Sequence, residues 1–304
     1  MDKSLLDSLA AIVGEENVRP LEPLAPHTTF KIGGPADAFV SPRSVEEVSQ
    51  VVRACEQASV PWRVIGCGSD LLVADEGVEG VVIEVRDNLS AIRVDGTRIV
   101  AGAGATNAAV AEAACTAGLS GYEFACGIPG TVGGAAIMNA GAYDGEFSQV
   151  CACSTCVTPE GRIVEVPCEE AEWSYRHSMF DAARYVVVAA TLELTPADPV
   201  AIRARMDELT AKREAKQPID MPSAGSTFKR PEGHFAAALI DQAGLKGLAV
   251  GGAQVSTKHT GFVVNAGDAT SVDVRALIAE VQRRVLESSG VALEPEVRMW
   301  GREA

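Results

Sequence analysis

Residues 127–134 read Gly-Ile-Pro-Gly-Thr-Val-Gly-Gly, and they lie inside a longer stretch, 118–145, in which glycine recurs every few residues. Linkers are mostly polar, but this stretch also carries apolar side chains, among them Phe124, Val132 and Ile137. Clustered glycines mark places where the backbone itself must approach another group closely. The pattern therefore predicts a binding loop between two ordered regions rather than a linker.

A second glycine turn, Gly66-Cys67-Gly68-Ser69, follows a short strand predicted at 62–65. Successive backbone N–H groups in such a turn can hold a phosphate, although a plain tight turn is the alternative. The turn is not the dinucleotide-binding fingerprint, since position 71 is leucine, and no Gly-Lys-Ser/Thr follows it as in a P-loop. Two such loops can hold an extended, doubly phosphorylated cofactor from two sides.

Hydrophobic periodicity and cap residues predict the elements around these loops. The predicted helices cover 4–13, 44–58, 107–117, 196–213, 235–243 and 271–289, and the predicted strands cover 62–65, 80–85, 151–158, 162–166, 184–195, 261–265 and 291–300. Residues 91–94 and 98–101 are predicted to form a hairpin across Asp95-Gly96, a favoured two-residue turn.

The length of 304 residues indicates two or three domains. Against 41 Asp and Glu the chain has only 26 Lys and Arg, a net charge of −15 without any basic run, so a nucleic-acid partner is not expected. No apolar stretch approaches the roughly 18 residues of a membrane span, and the start of the chain lacks the apolar core of a signal peptide. We therefore expect a cytoplasmic protein without a membrane partner; the pattern leaves the oligomeric state open.

Eight cysteines are present, and in a cytosolic chain we expect them to be reduced and mostly packed. Cys151, Cys153 and Cys156 resemble a metal cluster at first sight. Strand alternation would place Cys151 and Cys153 on one face and Cys156 on the other. Zinc is therefore the less favoured alternative, and we predict no metal site.

Seven motifs occur in order along the chain: HTTFKIGGPAD at 27–37, GxGSxLLV at 66–73, GIPGTVGG at 127–134 with NAGAY at 139–143, YRHS at 175–178, GSTFKRP at 225–231, KHTGF at 258–262 and EPEVR at 294–298. Together they resemble the UDP-N-acetylenolpyruvoylglucosamine reductase family. The chain is similar to the shorter (type II) subclass, because the stretch from Arg176 to Ser226 leaves little room for the inserted substrate-covering loop of the longer one.

The resemblance implies an α+β chain with an FAD-binding domain of the vanillyl-alcohol-oxidase (PCMH) type in two α/β lobes, 1–90 and 91–205. A smaller C-terminal α/β substrate-binding domain, 206–304, would follow, its last strand returning toward the flavin site. The resemblance also implies the reaction. NADPH reduces FAD, and the flavin reduces the enolpyruvyl ether of a small nucleotide sugar, UDP-N-acetylglucosamine, to the lactyl ether of UDP-N-acetylmuramate, a peptidoglycan precursor.

Three catalytic residues follow from the resemblance. Arg176 would bind the substrate carboxylate, because a guanidinium can donate two parallel hydrogen bonds to the two carboxylate oxygens. Ser226 would donate the proton, with Ser223 as the runner-up, and Glu296 would be the partner of the enol intermediate, with Arg298 as its nearest candidate cation. Without the motifs, Arg176 would be interpreted as a surface arginine in a loop and Ser226 as a serine that makes a turn hydrogen bond. Glu296 would be interpreted as a solvent-exposed residue at the edge of a strand.

The cofactor and substrate contacts also come from the resemblance. The FAD-binding residues would be Gly66, Cys67, Gly68, Ser69, Asp70, Ile128, Gly130, Val132, Gly133, Gly134, Asn139 and Ala140. The substrate-binding residues would be Tyr175, Lys216, Lys229, Arg230 and Lys258, mostly cations because the substrate carries a diphosphate and a carboxylate. Asp70 replaces the family's common asparagine and is expected to point away from the phosphates.

Two other functions are kept open by the sequence. One is another FAD-dependent oxidoreductase of the same superfamily with a different small substrate. The other is a catalytically silent protein that binds flavin or a nucleotide sugar. Flavin colour, and its response to NADPH and to the enolpyruvyl sugar, would separate the three.

Overall fold

The structure, a computed structural model, describes residues 1–143 and 145–302. Its helices are α1 Lys3–Val13, α2 Val45–Gln57, α3 Asn107–Thr116, α4 Val132–Met138, α5 Met179–Ala182, α6 Pro199–Lys216, α7 Ala236–Gln242 and α8 Ser271–Ser289. Its strands are β1 Val18–Pro20, β2 Ala36–Val40, β3 Trp62–Ile65, β4 Leu71–Val73, β5 Val78–Glu84, β6 Ile92–Asp95, β7 Arg98–Gly102, β8 Leu119–Ser120, β9 Gly141–Ala142, β10 Gly145–Glu146, β11 Cys151–Val157, β12 Ile163–Pro167, β13 Val186–Glu193, β14 Thr195–Pro196, β15 Ala249–Val250, β16 Ala253–Val255, β17 Val263–Asn265 and β18 Arg298–Trp300.

Two sheets form the framework of the first compact unit, which consists of residues 1–20, 38–67 and 80–213. One sheet has the strand order β1-β2-β5-β3 and the other the order β12-β11-β13-β7-β6. Strand β3 runs parallel to β5, whereas neighbours in the five-stranded sheet are antiparallel. Ser44 caps α2 by accepting a hydrogen bond from the Glu47 N–H at 3.2 Å, and the helix buries its apolar face in the core.

Helix α4 packs against the five-stranded sheet from within the glycine-rich stretch. A Cβ atom at Gly133 would lie 3.0 Å from the Ala103 Cβ and 3.5 Å from the Val187 carbonyl oxygen, so glycine lets the helix approach the sheet closely. The Gly133 N–H donates to the Ala103 carbonyl at 2.9 Å. A loop throughout 118–145 was expected, and this part of the prediction is wrong, because the sheet stabilises a helical turn that the composition disfavours.

The second compact unit consists of residues 21–37, 68–79 and the described residues from 214 onward. It contains the antiparallel sheet β15-β16-β17, helices α7 and α8, and the parallel pair β4 and β18. Helix α8 begins with a capping box between Thr270 and Asp273 and ends at Gly290, whose φ is +73°. The helix buries the stripe that the periodicity predicts, Val274, Leu277, Ile278, Val281 and Val285.

Two predicted strands differ from the structure. In the hairpin, Asp95 pairs with Arg98, so the two loop residues are 96 and 97 rather than 95 and 96. Both Thr97 and Arg98 bond to the Glu193 carboxylate on β13, which agrees with this register.

The last strand was predicted over 291–300 but covers only β18, because Pro295 has no N–H to donate and the preceding residues bond to a different segment.

The mixture of helices and sheets confirms the predicted α+β class. Across the two described ranges, none of the helices is both long and apolar enough to cross a bilayer. The division into segments 1–90, 91–205 and 206–304 stays a prediction.

Candidate active site

The two glycine-rich stretches meet within the first unit. The turn at Gly66 follows β3 directly, and a Cβ atom at Gly66 would lie only 2.6 Å from the Oγ1 atom of Thr131. Thr131 is buried and is the N-cap of α4, so it has little freedom to move away. Glycine at 66 therefore lets the turn pack against the start of α4.

The backbone N–H groups of Gly66 and Cys67 are available to a ligand, because they donate to no acceptor among residues 1–143 and 145–302. Burial raises the pKa of the Cys67 thiol, although the charge of Arg86 acts in the opposite direction. The thiol is therefore neutral near pH 7 and does not repel an anion. Neighbouring free N–H groups beside a neutral side chain suit the pyrophosphate of the expected FAD.

The loop that enters α4 is held by a buried polar pair. The Tyr122 hydroxyl donates to the Asn107 Oδ1 at 2.8 Å, and the Asn107 Nδ2 donates to the Ile128 carbonyl at 3.4 Å. The Asn107 N–H also donates to the Gly130 carbonyl at 3.2 Å. Sequence reasoning missed this pair, since nothing in the pattern shows that an asparagine in the first turn of α3 is fully buried.

Within α4, the predicted cofactor-binding residues differ in how accessible they are to a ligand. Val132 and Gly133 are buried, and the N–H of Val132 donates to the Ala105 carbonyl at 2.9 Å. Gly134 is exposed, and the nearest atom to a Cβ placed there is the Thr131 Oγ1 at 3.8 Å. Open space at Gly134 therefore lets a ligand approach the helix backbone.

Asn139 joins two loops that follow α4. Its backbone is left-handed, with a φ of +41°, and its side chain is buried. The Oδ1 accepts a hydrogen bond from the Ser148 N–H at 2.9 Å, and the Nδ2 donates to the Ser174 carbonyl at 3.3 Å. The next residue, Ala140, closes the end of α4 by donating to the Ala135 carbonyl.

Arg176 lies at the tip of a tight turn. Ser174 and His177 exchange two backbone hydrogen bonds of 3.2 Å, which leaves Tyr175 and Arg176 as the two tip residues. The half-buried Arg176 has a φ of +55°, and its guanidinium lies 5.0 Å from the centroid of the Tyr175 ring. A left-handed, non-glycine residue is a strained choice that often marks a functional position.

The turn is fixed to the rest of the first unit on both sides. The buried Ser178 hydroxyl donates to the Ile137 carbonyl at 2.8 Å. Trp173 packs between Phe147 and Phe180, with ring centroids 5.9 Å and 5.7 Å away. The rings of Trp173 and Phe180 therefore support the turn on which Arg176 is carried.

In the second unit, the predicted residues 68–70 contact the segment that begins the motif at 27–37. Gly68 has a φ of +58°, and a Cβ atom there would lie 2.4 Å from the His27 carbonyl oxygen. The Thr29 N–H donates to the Gly68 carbonyl at 3.2 Å. Both Ser69 and Asp70 are half-buried, and the Asp70 carbonyl accepts from the Arg298 N–H at 3.0 Å.

Ser226 and Glu296 are brought together through one residue of the second unit. Ser226 is exposed and follows Gly225, whose φ is +75°. The carbonyl of the next residue, Thr227, accepts a hydrogen bond from the Glu296 N–H at 2.9 Å. The predicted proton donor and the predicted carboxylate therefore lie on adjacent, hydrogen-bonded segments.

The predicted substrate cations have different surroundings. Lys229 forms an ion pair with Glu294, and the Lys258 ammonium donates to the Glu214 carbonyl at 2.7 Å. The Arg230 guanidinium lies 4.1 Å from the centroid of the exposed Phe235 ring. Lys216 is exposed, and its charge adds to burial in lowering the pKa of His259.

Two family models match the chain. Residues 36–167 match a model described as an FAD binding domain, and residues 217–300 match the C-terminal domain of UDP-N-acetylenolpyruvoylglucosamine reductase. A reductase of that name from Lachnoclostridium phytofermentans is 47% identical over 305 residues, which cover 99% of this chain and 98% of the relative.

The chain belongs to the UDP-N-acetylenolpyruvoylglucosamine reductase family.

The crystal structure of a reductase of this family, from Thermus caldophilus, superposes with a TM-score of 0.81 at 35% identity, covering 93% of this chain and 99% of that one. A glucose dehydrogenase, Phl p 4.0202, shares the fold alone, with a TM-score of 0.52 at 14% identity over 95% of this chain and 64% of that one. These matches confirm the PCMH-type FAD-binding domain followed by the smaller C-terminal domain, and they confirm FAD as the cofactor of this reductase.

Arg213 is a further candidate of this reductase that sequence reasoning missed. Its side chain lies against Gly127, where an added Cβ would be 3.0 Å from the Arg213 Cδ. Burial lowers the pKa of its guanidinium, while Tyr143 and Cys126 act in the opposite direction. It makes no hydrogen bond or ion pair with the part of the chain that the structure describes. The signal was present, because Arg213 continues the buried stripe of Ile202, Met206 and Leu209 along α6.

Proposed function

We propose that this chain reduces the carbon–carbon double bond of UDP-N-acetylglucosamine enolpyruvate, producing UDP-N-acetylmuramate for peptidoglycan synthesis. It uses FAD as its cofactor and NADPH as its reductant. The observation that carries the proposal is the match of both domain models, at 36–167 and 217–300, within one chain that aligns with its relatives end to end. The open N–H groups of Gly66 and Cys67 support a bound pyrophosphate.

The reaction divides the work between the cofactor and the chain. When bound, FAD supplies the hydride that one carbon of the double bond receives. The chain must stabilise the negative charge that builds at the neighbouring carbon and spreads into the carboxylate. It must also deliver a proton to that neighbouring carbon.

Arg176 stabilises the charge on the substrate carboxylate. A guanidinium presents parallel N–H donors to the two carboxylate oxygens, and partial burial beside the Tyr175 ring strengthens the attraction by excluding water. The paired backbone bonds of Ser174 and His177 fix the turn from which Arg176 projects before the substrate arrives. Such preorganised electrostatic stabilisation is among the largest contributions in enzymes.

Ser226 delivers the proton, and Glu296 assists at the same carbon. A serine hydroxyl is a weak acid, so it donates only to a carbon that already carries negative charge. The exposure of Ser226 keeps its hydroxyl open to the substrate. Glu296 orients the enol form of the substrate or the water that restores the proton of Ser226.

Cations of the second unit bind the diphosphate. Lys216 is our first candidate, because its side chain is exposed. Lys229 and Lys258 contact Glu294 and the Glu214 carbonyl, and Arg230 lies over the Phe235 ring, so each of these would have to share or exchange a contact to bind the diphosphate. Local cations are compatible with the net charge of −15, since the surrounding field depends on nearby groups.

The cellular location and the partners of the protein are proposed from its substrate, its reductant and its cysteines. A cytoplasmic protein fits a nucleotide-sugar substrate and NADPH, and all eight cysteines are free thiols, as in a reducing compartment. We propose a small-molecule substrate without a nucleic-acid or membrane partner.

Two half-reactions, followed by flavin colour without oxygen, test the proposed function. We expect a yellow protein that NADPH bleaches and the enolpyruvyl sugar recolours, with the lactyl ether detected by mass spectrometry. Bleaching without recolouring would indicate another FAD-dependent oxidoreductase. A yellow protein that NADPH does not bleach would indicate a silent binder, and a protein that takes up no FAD would overturn the proposal.

Glu296→Gln should keep its flavin and its reduction by NADPH, but should be recoloured by the sugar roughly 10- to 100-fold more slowly. The reason is the lost carboxylate, since hydrogen bonds to charged groups contribute about 1.5–3 kcal/mol. Stopped-flow absorbance measures the rate. Glu287→Gln, at an exposed carboxylate paired with Arg283 in the same unit, is the control and should match the wild type. An unchanged rate in Glu296→Gln would remove this carboxylate from the mechanism.

Arg213→Leu should weaken FAD binding by roughly 10- to 100-fold, because we propose that this half-buried cation faces an anionic part of the cofactor. Titration of the apoprotein with FAD, followed by flavin fluorescence, measures the affinity. The control is Arg203→Leu on the same helix, where the exposed guanidinium pairs with Glu112 at 2.5 Å. Equal FAD affinity in both variants would place Arg213 outside the cofactor site.

A further inference from the structure

The segment that carries Ser226 is bulged. Its Ser223 pairs with Val264 of β17, and its Thr227 N–H donates to the Gly261 carbonyl at 2.8 Å. Three residues lie between Ser223 and Thr227, but only two lie between Gly261 and Val264. The extra residue pushes the backbone out at Ala224-Gly225-Ser226, where Gly225 supplies the left-handed φ of +75° that such a bulge needs.

The side chain of Thr227 closes the gap that this bulge leaves. The Val263 N–H points toward the bulged segment but donates to the Thr227 Oγ1 at 2.8 Å rather than to a backbone carbonyl. Thr227 is 1% exposed, so water does not compete for this hydrogen bond. A side-chain hydroxyl therefore replaces the backbone acceptor that the extra residue displaces.

Thr227 also binds the segment on its other side. Its carbonyl accepts from the Glu296 N–H at 2.9 Å, and two residues further along, the Lys229 N–H donates to the Glu294 carbonyl at 2.9 Å. The N–H, the carbonyl and the hydroxyl of one buried residue thus connect three segments. These segments carry Ser226, β17 and Glu296.

We propose that Thr227 is a positioning residue, whose hydroxyl sets the bulge that aims Ser226 and fixes its register against Glu296. This inference rests on the proposed roles of Ser226 and Glu296. Without the hydroxyl, the buried Val263 N–H has no acceptor, so the bulge must relax toward Val263 and carry the adjacent Ser226 with it. A displacement of about 1 Å at a reacting group is enough to slow a reaction roughly 100-fold.

The test compares Thr227→Val, which keeps the shape and removes the hydroxyl, with Thr227→Ser, which keeps the hydroxyl and removes the methyl group. We expect the valine variant to recolour with the enolpyruvyl sugar roughly 10- to 100-fold more slowly, with unchanged FAD affinity, bleaching by NADPH and substrate affinity. Its solvent deuterium isotope effect should rise, because proton delivery becomes slower than the other steps. The serine variant should regain most of the rate.

The matched control is Thr158→Val. Thr158 is equally buried, and its Oγ1 also accepts a backbone N–H, that of Arg162 at 3.3 Å, in the hairpin of β11 and β12. We expect it to lower the melting temperature without changing the recolouring rate. A normal rate in Thr227→Val, or an equal loss in both half-reactions, would overturn the positioning role. Normal recolouring in Ser226→Ala would instead overturn the proposed proton donor, so the two failures are distinguishable.

Discussion

Ser226→Ala is expected to stay yellow and to be bleached by NADPH at the normal rate, but its reduced flavin should persist when the enolpyruvyl sugar is added. The physical reason is that the substrate carbon next to the one that receives the hydride has no proton donor once the Ser226 hydroxyl is gone. A positioned general acid contributes about 10²- to 10⁴-fold, so we expect recolouring to slow by that factor. Stopped-flow absorbance under anaerobic conditions, with mass spectrometry of the sugar, measures it.

Ser223→Ala is the control for this variant. Ser223 precedes the bulge and was the runner-up in the sequence, and its carbonyl accepts from the Thr29 hydroxyl at 2.6 Å. On the Ser223 side that hydrogen bond involves only the backbone carbonyl, so removing the Ser223 hydroxyl should leave the rate of recolouring unchanged. The assignment would be reversed if Ser223→Ala lost recolouring and Ser226→Ala kept it.

Arg176→Lys and Arg176→Gln are expected to slow recolouring by roughly 10²- to 10³-fold, the loss typical of a removed electrostatic donor in an active site. Lysine keeps the charge but lacks the fork, so it should recover only a small part of the rate. Both variants should still bind FAD and be bleached by NADPH. Measuring the recolouring rate at increasing sugar concentrations separates weaker binding from slower chemistry.

Arg184→Gln is the matched control, because Arg184 also has a positive φ, +54°, and lies over an aromatic ring, 4.9 Å from that of Trp62. It forms a hydrogen bond of 2.6 Å with Glu56 and has no proposed role in the reaction. A loss of recolouring in Arg184→Gln comparable to that in the Arg176 variants would show that destabilisation, rather than a missing carboxylate contact, explains both.

Features set by neighbouring residues could be predicted from the sequence. Helix α8 was predicted with its bounds because the apolar stripe and the terminating Gly290 are both local signals. The glycine clusters around 66 and 133 could be recognised as places of close backbone approach, although the residues that they approach, Thr131 and Ala103, could not be named from the sequence. The motifs supplied the roles of Arg176, Ser226 and Glu296, which composition and periodicity alone left ambiguous.

Features set by distant partners could not be predicted. The last strand was overestimated because residues 294–296 bond to 227–229, whereas 298–300 pair with β4. A strand pattern does not reveal such a change of partner. The side chain of Asn139 bridges two distant segments, and no local pattern reveals those partners.

The extra residue in the segment before Thr227 sets how this part of the chain tolerates insertion and deletion. Removing residue 224 or 225 would leave Ser223 opposite Val264 but restore an even pairing with β17, so the bulge would be lost. The resulting sheet would be more regular, yet the position before Thr227 would no longer project as it does now. Length, as much as residue identity, is therefore under constraint between Ser223 and Thr227.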